Sequence, residues 1–219
     1  MNKNHLPGLP FGARNIFCIG RNYAAHAREL KNEIPQEPVV FLKPVSALCY
    51  SGESVKLPRA SARVDHEVEI VVALGQRCQA ISEAQALEAV AGYAVGLDLT
   101  ARDLQEIAKK GGLPWAVAKG FDGFAPVSSF LGADVVGDPA GLCFELEVNG
   151  ETRQRGRASD MLFSIPSLIA YLSGIFTLEP GDLIFTGTPA GVGPLVAGDS
   201  LKATLKAARS EAGLEINVK

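Results

Sequence analysis

The chain lacks the features typical of proteins that cross membranes, bind nucleic acids or are secreted. Its four cysteines are widely scattered with no C-x-x-C pair, which argues against a thiolate zinc site and favours reduced cysteines in a cytoplasmic protein. No apolar run approaches the roughly 18 residues of a membrane span, and the N-terminal residues carry no apolar stretch typical of a secretory signal. The formal net charge of −3 gives no basic surface. We therefore expect no nucleic-acid partner and no membrane partner.

The composition is that of a folded globular protein, 47% hydrophobic and 21% charged over 219 residues. Short strands outnumber helices in the patterning, and neither a repeat nor a linker between domains is visible. These observations predict an α+β, β-rich fold in which residues 1–219 form one domain.

An acidic stretch at residues 64–73, with the sequence VDHEVEIVVA, is the most informative feature. Alternating apolar residues predict a β-strand, in which Asp65, Glu67 and Glu69 share one face. Three like charges beside an apolar run resist ionisation, and a divalent cation relieves that repulsion because hard cations bind carboxylate oxygens. The alternative is a solvated edge strand whose acidic face meets water.

A short strand at residues 15–20 leads into an alanine-rich helix at 21–30, with Asn22 as the predicted N-cap. His26 and Glu29 lie three residues apart and therefore on one face of this helix. Residues 32–38 contain two prolines and are predicted to be a loop that lets the helix move as a lid.

The remaining elements follow from periodicity and turn chemistry. Strands are predicted at 39–44, 92–99, 142–148, 151–156 and 183–186, helices at 83–91, 100–110 and 164–173, and a final hairpin after Gly198. The strand at 92–99 carries Asp98 near its end, Thr100 is the predicted cap of the next helix, and Asn149-Gly150 predicts a type I′ turn. Lys119 falls in a segment that is predicted to be a loop.

Five blocks in this order resemble the fumarylacetoacetate hydrolase family. They are G-R-N-Y-A-x-H-x-x-E at 20–29, D-H-E-x-E at 65–69, G-L-D-L-T-x-R-D at 96–103, K-x-x-D at 119–122 and F-T-G-T-P-x-G-V-G at 185–193. The short form is similar to the acylpyruvate hydrolase and 2-hydroxyhepta-2,4-diene-1,7-dioate isomerase branch. The resemblance implies a mixed β-sheet roll or barrel with a few short helices, and a homodimer.

The same resemblance implies that Glu67, Glu69 and Asp98 bind one Mg²⁺ or Mn²⁺ per subunit. That agrees with the residues themselves, because three oxygen donors suit a hard cation and leave positions open for substrate. Asp65 is expected behind these ligands. His66 points to the opposite face, where a structural role and a functional role both remain open.

The family's water-activating pair corresponds to His26 and Glu29, and the resemblance makes Lys119 an electrostatic stabiliser of an enolate. Arg21, Arg102 and Gln105 are expected to bind the substrate carboxylate, and Arg102 and Gln105 lie three residues apart on the helix after Asp98. The resemblance implies that Gly187 and Thr188 also contact the substrate.

The activity implied is metal-dependent hydrolysis of a C–C bond in an acylpyruvate, a 2,4-diketo acid such as fumarylpyruvate or acetylpyruvate, through a pyruvate enolate. Isomerisation of 2-hydroxyhepta-2,4-diene-1,7-dioate and decarboxylation of oxaloacetate need the same enolate site, and the motifs do not choose among the three. A non-catalytic protein that binds a metal or keto acid is a more distant alternative, disfavoured because every expected ligand and the His26–Glu29 pair are present.

Overall fold

The computed structural model describes residues 5–29 and 33–219. Residues 30–32, the end of the predicted lid helix and the start of its loop, lie outside the described residues. The described strands are β1 (Ile16–Gly20), β2 (Val39–Lys43), β3 (Leu48–Tyr50), β4 (Ser54–Val55), β5 (Val64–His66), β6 (Val68–Leu74), β7 (Val90–Leu97), β8 (Thr100–Ala101), β9 (Ala125–Val127), β10 (Leu131–Gly132), β11 (Cys143–Val148), β12 (Glu151–Arg157), β13 (Leu183–Phe185), β14 (Gly193–Leu195), β15 (Ser200–Lys206) and β16 (Glu211–Val218).

The described helices are short: α1 (Ala24–Glu29), α2 (Glu83–Ala86), α3 (Arg102–Gly111), α4 (Ala116–Lys119), α5 (Ala133–Val136) and α6 (Ile165–Ile175). Among the described residues, none of these helices has the length and apolarity needed to cross a bilayer.

The strands form two large sheets and one small one. The largest has the order β2-β1-β13-β6-β7-β9-β3 with β10 paired to β7, the second has the order β12-β11-β15-β16-β4, and the small sheet is β14-β5-β8. Most neighbours are antiparallel, whereas β1 and β13, β3 and β9, and β16 and β4 are parallel. The predicted mixed, β-rich α+β fold is therefore confirmed.

Strand β6 lies at the centre of the largest sheet and is buried on both faces. Val68, Ile70 and Val72 point into the main core, which they share with the inward residues of β11, β15 and β16. Val71 and Ala73 point into a second core on the other face. Because both faces are packed, the ends of β6 and of its neighbour β7 form a rigid platform for the side chains that project there.

The acidic stretch is two strands rather than the one that its alternation predicts. Strand pairing breaks at Glu67, where β5 leaves for the small sheet and β6 begins. The Val68 amide donates to the Gln154 side chain at 3.0 Å instead of to a strand neighbour, which accommodates this break. The solvated-edge alternative is wrong, since every residue from 64 to 74 is buried.

Three predicted helix boundaries are also wrong, each because a tertiary contact takes the residue concerned. Asn22 does not cap α1, since its side chain bonds the backbone of Phe163 and Thr186. The helix predicted at 83–91 is α2 followed by a 3₁₀ turn at Leu87–Ala89, and it stops short of residue 91 because β7 begins at Val90. Thr100 pairs with Asp65 in the small sheet, so α3 begins at Arg102.

Candidate active site

Three buried carboxylates meet where β6 begins and β7 ends. The Asp98 amide donates to the Glu67 carbonyl at 2.8 Å, which places these two residues side by side. Glu69 pairs with Gly96 across the strands, and a Cβ at Gly96 would come within 2.6 Å of Val71, so a glycine is required for this close packing. One oxygen from each carboxylate of Glu67, Glu69 and Asp98 lies within 4.8 Å of the others.

The carboxylates of Glu67 and Glu69 are in opposite electrostatic situations. Burial works to raise the pKa of Glu67, but the charges of Lys119 and Arg102 outweigh it and hold that pKa below its usual range. Burial raises the pKa of Glu69, and the neighbouring Asp98 and Glu67 carboxylates raise it further. Glu69 therefore needs an added positive charge more than Glu67 does.

Two buried lysines surround Asp98. Lys119 donates to Glu67 at 2.9 Å and also to Asp98, and these carboxylates raise its pKa although burial opposes the charge. Lys43 was not singled out from the sequence, yet its Nζ lies 2.7 Å from Asp98 Oδ1. Its ammonium also donates to the backbone carbonyls of Leu99, Lys119 and Phe124, at 3.0, 2.5 and 2.8 Å.

These contacts leave Asp98 Oδ1 buried without a hydrogen bond. Although Lys43 is close to this oxygen, an ammonium has three hydrogens, and the three backbone carbonyls account for all of them. A buried Asp98 oxygen that accepts no hydrogen bond, together with Glu69, whose pKa is raised by its acidic neighbours, is a donor set that a hard divalent cation fits. Glu67, Glu69 and Asp98 can therefore hold Mg²⁺ or Mn²⁺.

Arg102 connects the carboxylates to a second layer of polar groups. Its guanidinium donates to Asp65 at 2.8 Å, to Glu67 at 2.5 Å and to Gln105 at 2.7 Å. Asp65 also accepts from Arg63 at 2.8 Å and is absent from the carboxylate trio, which matches its expected position behind the ligands. Arg102 and Gln105 line the pocket, but in this structure they bond to each other and to these carboxylates.

His26 lines the same pocket from α1, and its Nδ1 lies 3.4 Å from Glu29 Oε2. Glu29 in turn accepts from the Gly191 amide at 3.1 Å, so its carboxylate is anchored to the loop that follows β13. Burial lowers the pKa of His26, while the charges of Glu67 and Glu29 work in the opposite direction. The net lowering of the pKa favours the neutral imidazole, which is the form able to accept a proton.

Gly187 and Thr188 bond within the protein rather than to an open position. The Gly187 amide donates to Glu69 at 2.8 Å, and the Thr188 hydroxyl donates to the Val68 carbonyl at 2.8 Å. Gly187 has φ +102°, and a Cβ there would lie 2.6 Å from Asn22. Their observed contacts thus support Glu69 and the start of β6, whereas substrate binding by these two residues stays a prediction.

His66 occupies a closed polar network on the far side of the acidic stretch. Its Nδ1 lies 3.0 Å from the Gln154 Oε1, and the Gln154 amide nitrogen donates to Thr188 at 2.9 Å. These contacts favour the structural role for His66. The sequence did not point to Gln154, because it is a polar residue in a mostly exposed strand, β12.

One pocket brings together most of the predicted site residues. It is lined by His26, Lys119, the three carboxylates, Arg21, Arg102, Gln105 and Thr188, together with Phe41, Lys109 and Trp115. Glu29 and Gly187 stand behind this lining and contact His26 and Glu69. Within the described residues, the pocket therefore combines a neutral base, a buried ammonium and a potential metal site.

The chain matches the family model "Fumarylacetoacetate (FAA) hydrolase C-terminal" over residues 15–216. It belongs to this family. A curated relative, "Oxaloacetate tautomerase FAHD1, mitochondrial" of Bos taurus, is 51% identical over 190 residues, covering 87% of this chain and 86% of the relative.

Solved structures of family members superpose closely on the chain. A fumarylpyruvate hydrolase from Pseudomonas aeruginosa, in complex with Mn²⁺ and pyruvate, has a TM-score of 0.89 at 38% identity, covering 98% of this chain and 94% of that one. A 2-hydroxyhepta-2,4-diene-1,7-dioate isomerase from Mycobacterium marinum has a TM-score of 0.80 at 37% identity, covering 94% and 75%. The family thus includes a hydrolase, an isomerase and a tautomerase on one fold.

Removing one carboxylate from the trio gives a direct test of metal binding. Glu69→Gln is the sharpest change, because a glutamine resembles the protonated Glu69 that burial and like charges favour, so the metal-free protein should fold normally. With Mn²⁺ at about 100 times its Kd, we expect the wild-type Tm to rise by about 5–11 °C. Glu69→Gln should weaken Mn²⁺ affinity at least about 100-fold in calorimetry.

The matched control is Glu145→Gln, which changes the same residue type on a partly exposed β11 position away from the pocket. Its Mn²⁺ affinity and Tm shift should equal those of the wild type. An unchanged affinity in Glu69→Gln would contradict the assignment of this carboxylate as a ligand.

Proposed function

We propose that the chain is a divalent-metal-dependent enzyme that forms the enolate of a short 2-oxo acid, with keto–enol tautomerisation of oxaloacetate as its reaction. The observation that carries this proposal is a neutral base, His26, and a buried ammonium, Lys119, lining one pocket with the three carboxylates. The choice of oxaloacetate is supported by the tautomerase relative that is 51% identical.

The described side chains supply each proton movement that this reaction needs. His26 takes a proton from C3 of the keto form, and Glu29, 3.4 Å away, stabilises the resulting imidazolium. The electron pair of that C–H bond forms the C2=C3 double bond, and the π pair of the carbonyl moves onto the 2-oxo oxygen, where the Lys119 ammonium stabilises the developing negative charge. Return of the proton to this oxygen completes the enol, so no atom is gained or lost.

When bound at Glu67, Glu69 and Asp98, a divalent cation supplies Lewis acidity toward the oxygens of the 2-oxo acid. The chain's own contribution there is orientation. Arg102 holds Glu67 at 2.5 Å, and the Gly187 amide holds Glu69 at 2.8 Å, so both carboxylates are fixed before any ligand arrives.

Hydrolysis of an acylpyruvate is the second candidate. It uses the same residues, because His26 can take a proton from water as that water attacks the 4-carbonyl, after which C–C cleavage leaves a pyruvate enolate beside Lys119. The structure of a fumarylpyruvate hydrolase with Mn²⁺ and pyruvate, at a TM-score of 0.89, favours this alternative. Decarboxylation and dienoate isomerisation would pass through the same kind of enolate.

The test is a substrate panel on metal-stripped protein with Mg²⁺ or Mn²⁺ added back. Oxaloacetate tautomerisation is followed by enol absorbance, and product NMR detects cleavage of oxaloacetate, acetylpyruvate or fumarylpyruvate and isomerisation of a 2-hydroxy-heptadienedioate. We expect metal-dependent acceleration of the oxaloacetate keto–enol equilibration without release of pyruvate.

Other products would redirect the proposal. Pyruvate from an acylpyruvate, without faster tautomerisation, would make the chain a hydrolase, and pyruvate from oxaloacetate alone would make it a decarboxylase. Mn²⁺ binding with no turnover of any panel member would support a non-catalytic protein that binds a metal or keto acid.

A further inference from the structure

The pocket has an aromatic wall with a lysine at each end. Lys119 Nζ lies 4.9 Å from the centroid of Phe41, whose ring centroid is 5.4 Å from that of Trp115. Lys109 Nζ lies 5.4 Å from the Trp115 centroid. Lys119 is the buried lysine at the carboxylates, whereas Lys109 is exposed, so the wall runs from the carboxylates to the pocket mouth.

The cations at the two ends differ in how their charge is balanced. At the inner end, Lys119 and Arg102 are both paired with buried carboxylates. At the outer end, within residues 5–29 and 33–219, no carboxylate forms an ion pair with Arg21 or Lys109. Arg21 and Lys109 line the same pocket, and burial acts together with the positive charges of Arg102 and Arg21 to lower the pKa of Lys109, so the two outer cations lie within electrostatic range of each other.

The backbone at Arg21 is also specialised. This residue has φ +60°, a left-handed conformation that is uncommon for a side chain other than glycine, asparagine or aspartate. Such a conformation persists when the surrounding structure requires it, and here it accompanies a guanidinium in the pocket lining.

We propose that Arg21 and Lys109, with Trp115 as the supporting ring, form a subsite for the second carboxylate of a dicarboxylic 2-oxo acid. This inference rests on the proposed function, since it assumes that the first carboxylate and the 2-oxo group occupy the inner end of the pocket. A monocarboxylic 2-oxo acid would leave both outer cations without an anion. The chain therefore selects dicarboxylates such as oxaloacetate over monocarboxylates of equal length.

A binding experiment tests the subsite without requiring turnover. The probes are 2-oxoglutarate and 2-oxovalerate, which have equal chain length and differ only in the second carboxylate. Their Kd values for the Mn²⁺-loaded full chain are measured by calorimetry at fixed ionic strength. We expect the wild type to bind 2-oxoglutarate at least about tenfold more tightly.

Lys109→Met keeps most of the side-chain length and removes the charge, and we expect it to reduce this preference about tenfold without changing the 2-oxovalerate Kd. Lys110→Met is the matched control, because Lys110 is the exposed next residue of α3 and lies outside the pocket lining. It should keep the wild-type preference, and Lys109→Arg should retain most of it.

Equal binding of the two probes by the wild type, or an unchanged preference in Lys109→Met, would overturn the subsite. The turnover panel remains a separate readout. A probe preference that depends on Lys109 in a chain that turns over no panel substrate would reject the proposed function and leave the subsite standing.

Discussion

His26→Ala should lower kcat for oxaloacetate tautomerisation by about 10²–10⁴-fold, the usual contribution of a positioned general base. Among the described pocket-lining residues, His26 is the titratable group that is neither a member of the carboxylate trio nor a lysine or arginine. Without it, proton transfer at C3 must rely on solvent. Mn²⁺ affinity should stay unchanged, because His26 is not among the three clustered carboxylates.

His5→Ala is the matched control, because His5 is exposed and outside the pocket lining, and it should leave kcat at the wild-type value. A His26→Ala variant that retains wild-type kcat while binding Mn²⁺ normally would rule out His26 as the base. Loss of both activity and metal binding would instead indicate that the substitution disturbed the fold.

The pH profile gives a second check on the same residue. Burial lowers the pKa of His26, so the acid limb of kcat/KM should have its midpoint below the usual 6.5 of a histidine. The Glu29 carboxylate favours the protonated imidazole and so works to raise that pKa. Glu29→Gln removes this effect, and the midpoint should therefore move to still lower pH. A midpoint that moves upward would contradict the pairing.

Much of the site could be predicted from sequence because its residues fall in short blocks. The pair of His26 and Glu29 is separated by three positions, and their contact needs only a single helical turn. Glu67 and Glu69 are likewise local neighbours. Asp98 joins them because β6 and β7 are antiparallel partners. The family resemblance implies the three ligands, but local patterning does not determine this strand pairing.

The residues that sequence reasoning missed depend on distant parts of the chain. In the sequence, Lys43 is a charged residue at the end of a strand, just before a proline, and nothing marks it as special. Its three carbonyl partners lie 56, 76 and 81 residues further along the chain. Gln154 similarly reaches Thr188 across 34 positions. Periodicity identifies which face of a strand is buried, but it does not show which loops will converge on one buried ammonium.

The roles expected for Arg102 and Gln105 show a related limit. The motif covers Arg102, and helical spacing puts Gln105 beside it; the structure places both residues in the pocket lining. Arg102 nevertheless donates to Asp65 and Glu67, so part of its charge stabilises the buried carboxylates before any substrate is present. A motif identifies which positions line the site. Whether the Arg102 guanidinium bonds to protein carboxylates or to substrate depends on distances that only the structure gives.

Lys43→Met should destabilise the protein by about 3–5 kcal/mol, lowering Tm by about 6–20 °C, with the measurement made by thermal and denaturant unfolding. The Lys43 side chain is fully buried, and its ammonium joins Asp98 to the backbone of the segments that carry Leu99, Lys119 and Phe124. A methionine of similar length fills the space but leaves three buried carbonyls and one carboxylate oxygen without their cation.

The control for this prediction is Lys202→Met, because Lys202 is exposed on β15, and its Tm should lie within about 2 °C of the wild type. In the double variant with Asp98→Asn, part of the lost stability should return, since the buried charge that Lys119 alone would then have to balance is removed. If Lys43→Met alone unfolds at the wild-type temperature, the ammonium does not hold these segments together. If Asp98→Asn fails to relieve a large loss of stability, the loss comes from the three unsatisfied carbonyls and not from the broken ion pair. Comparing the unfolding free energy of the double variant with those of the two single variants measures this directly.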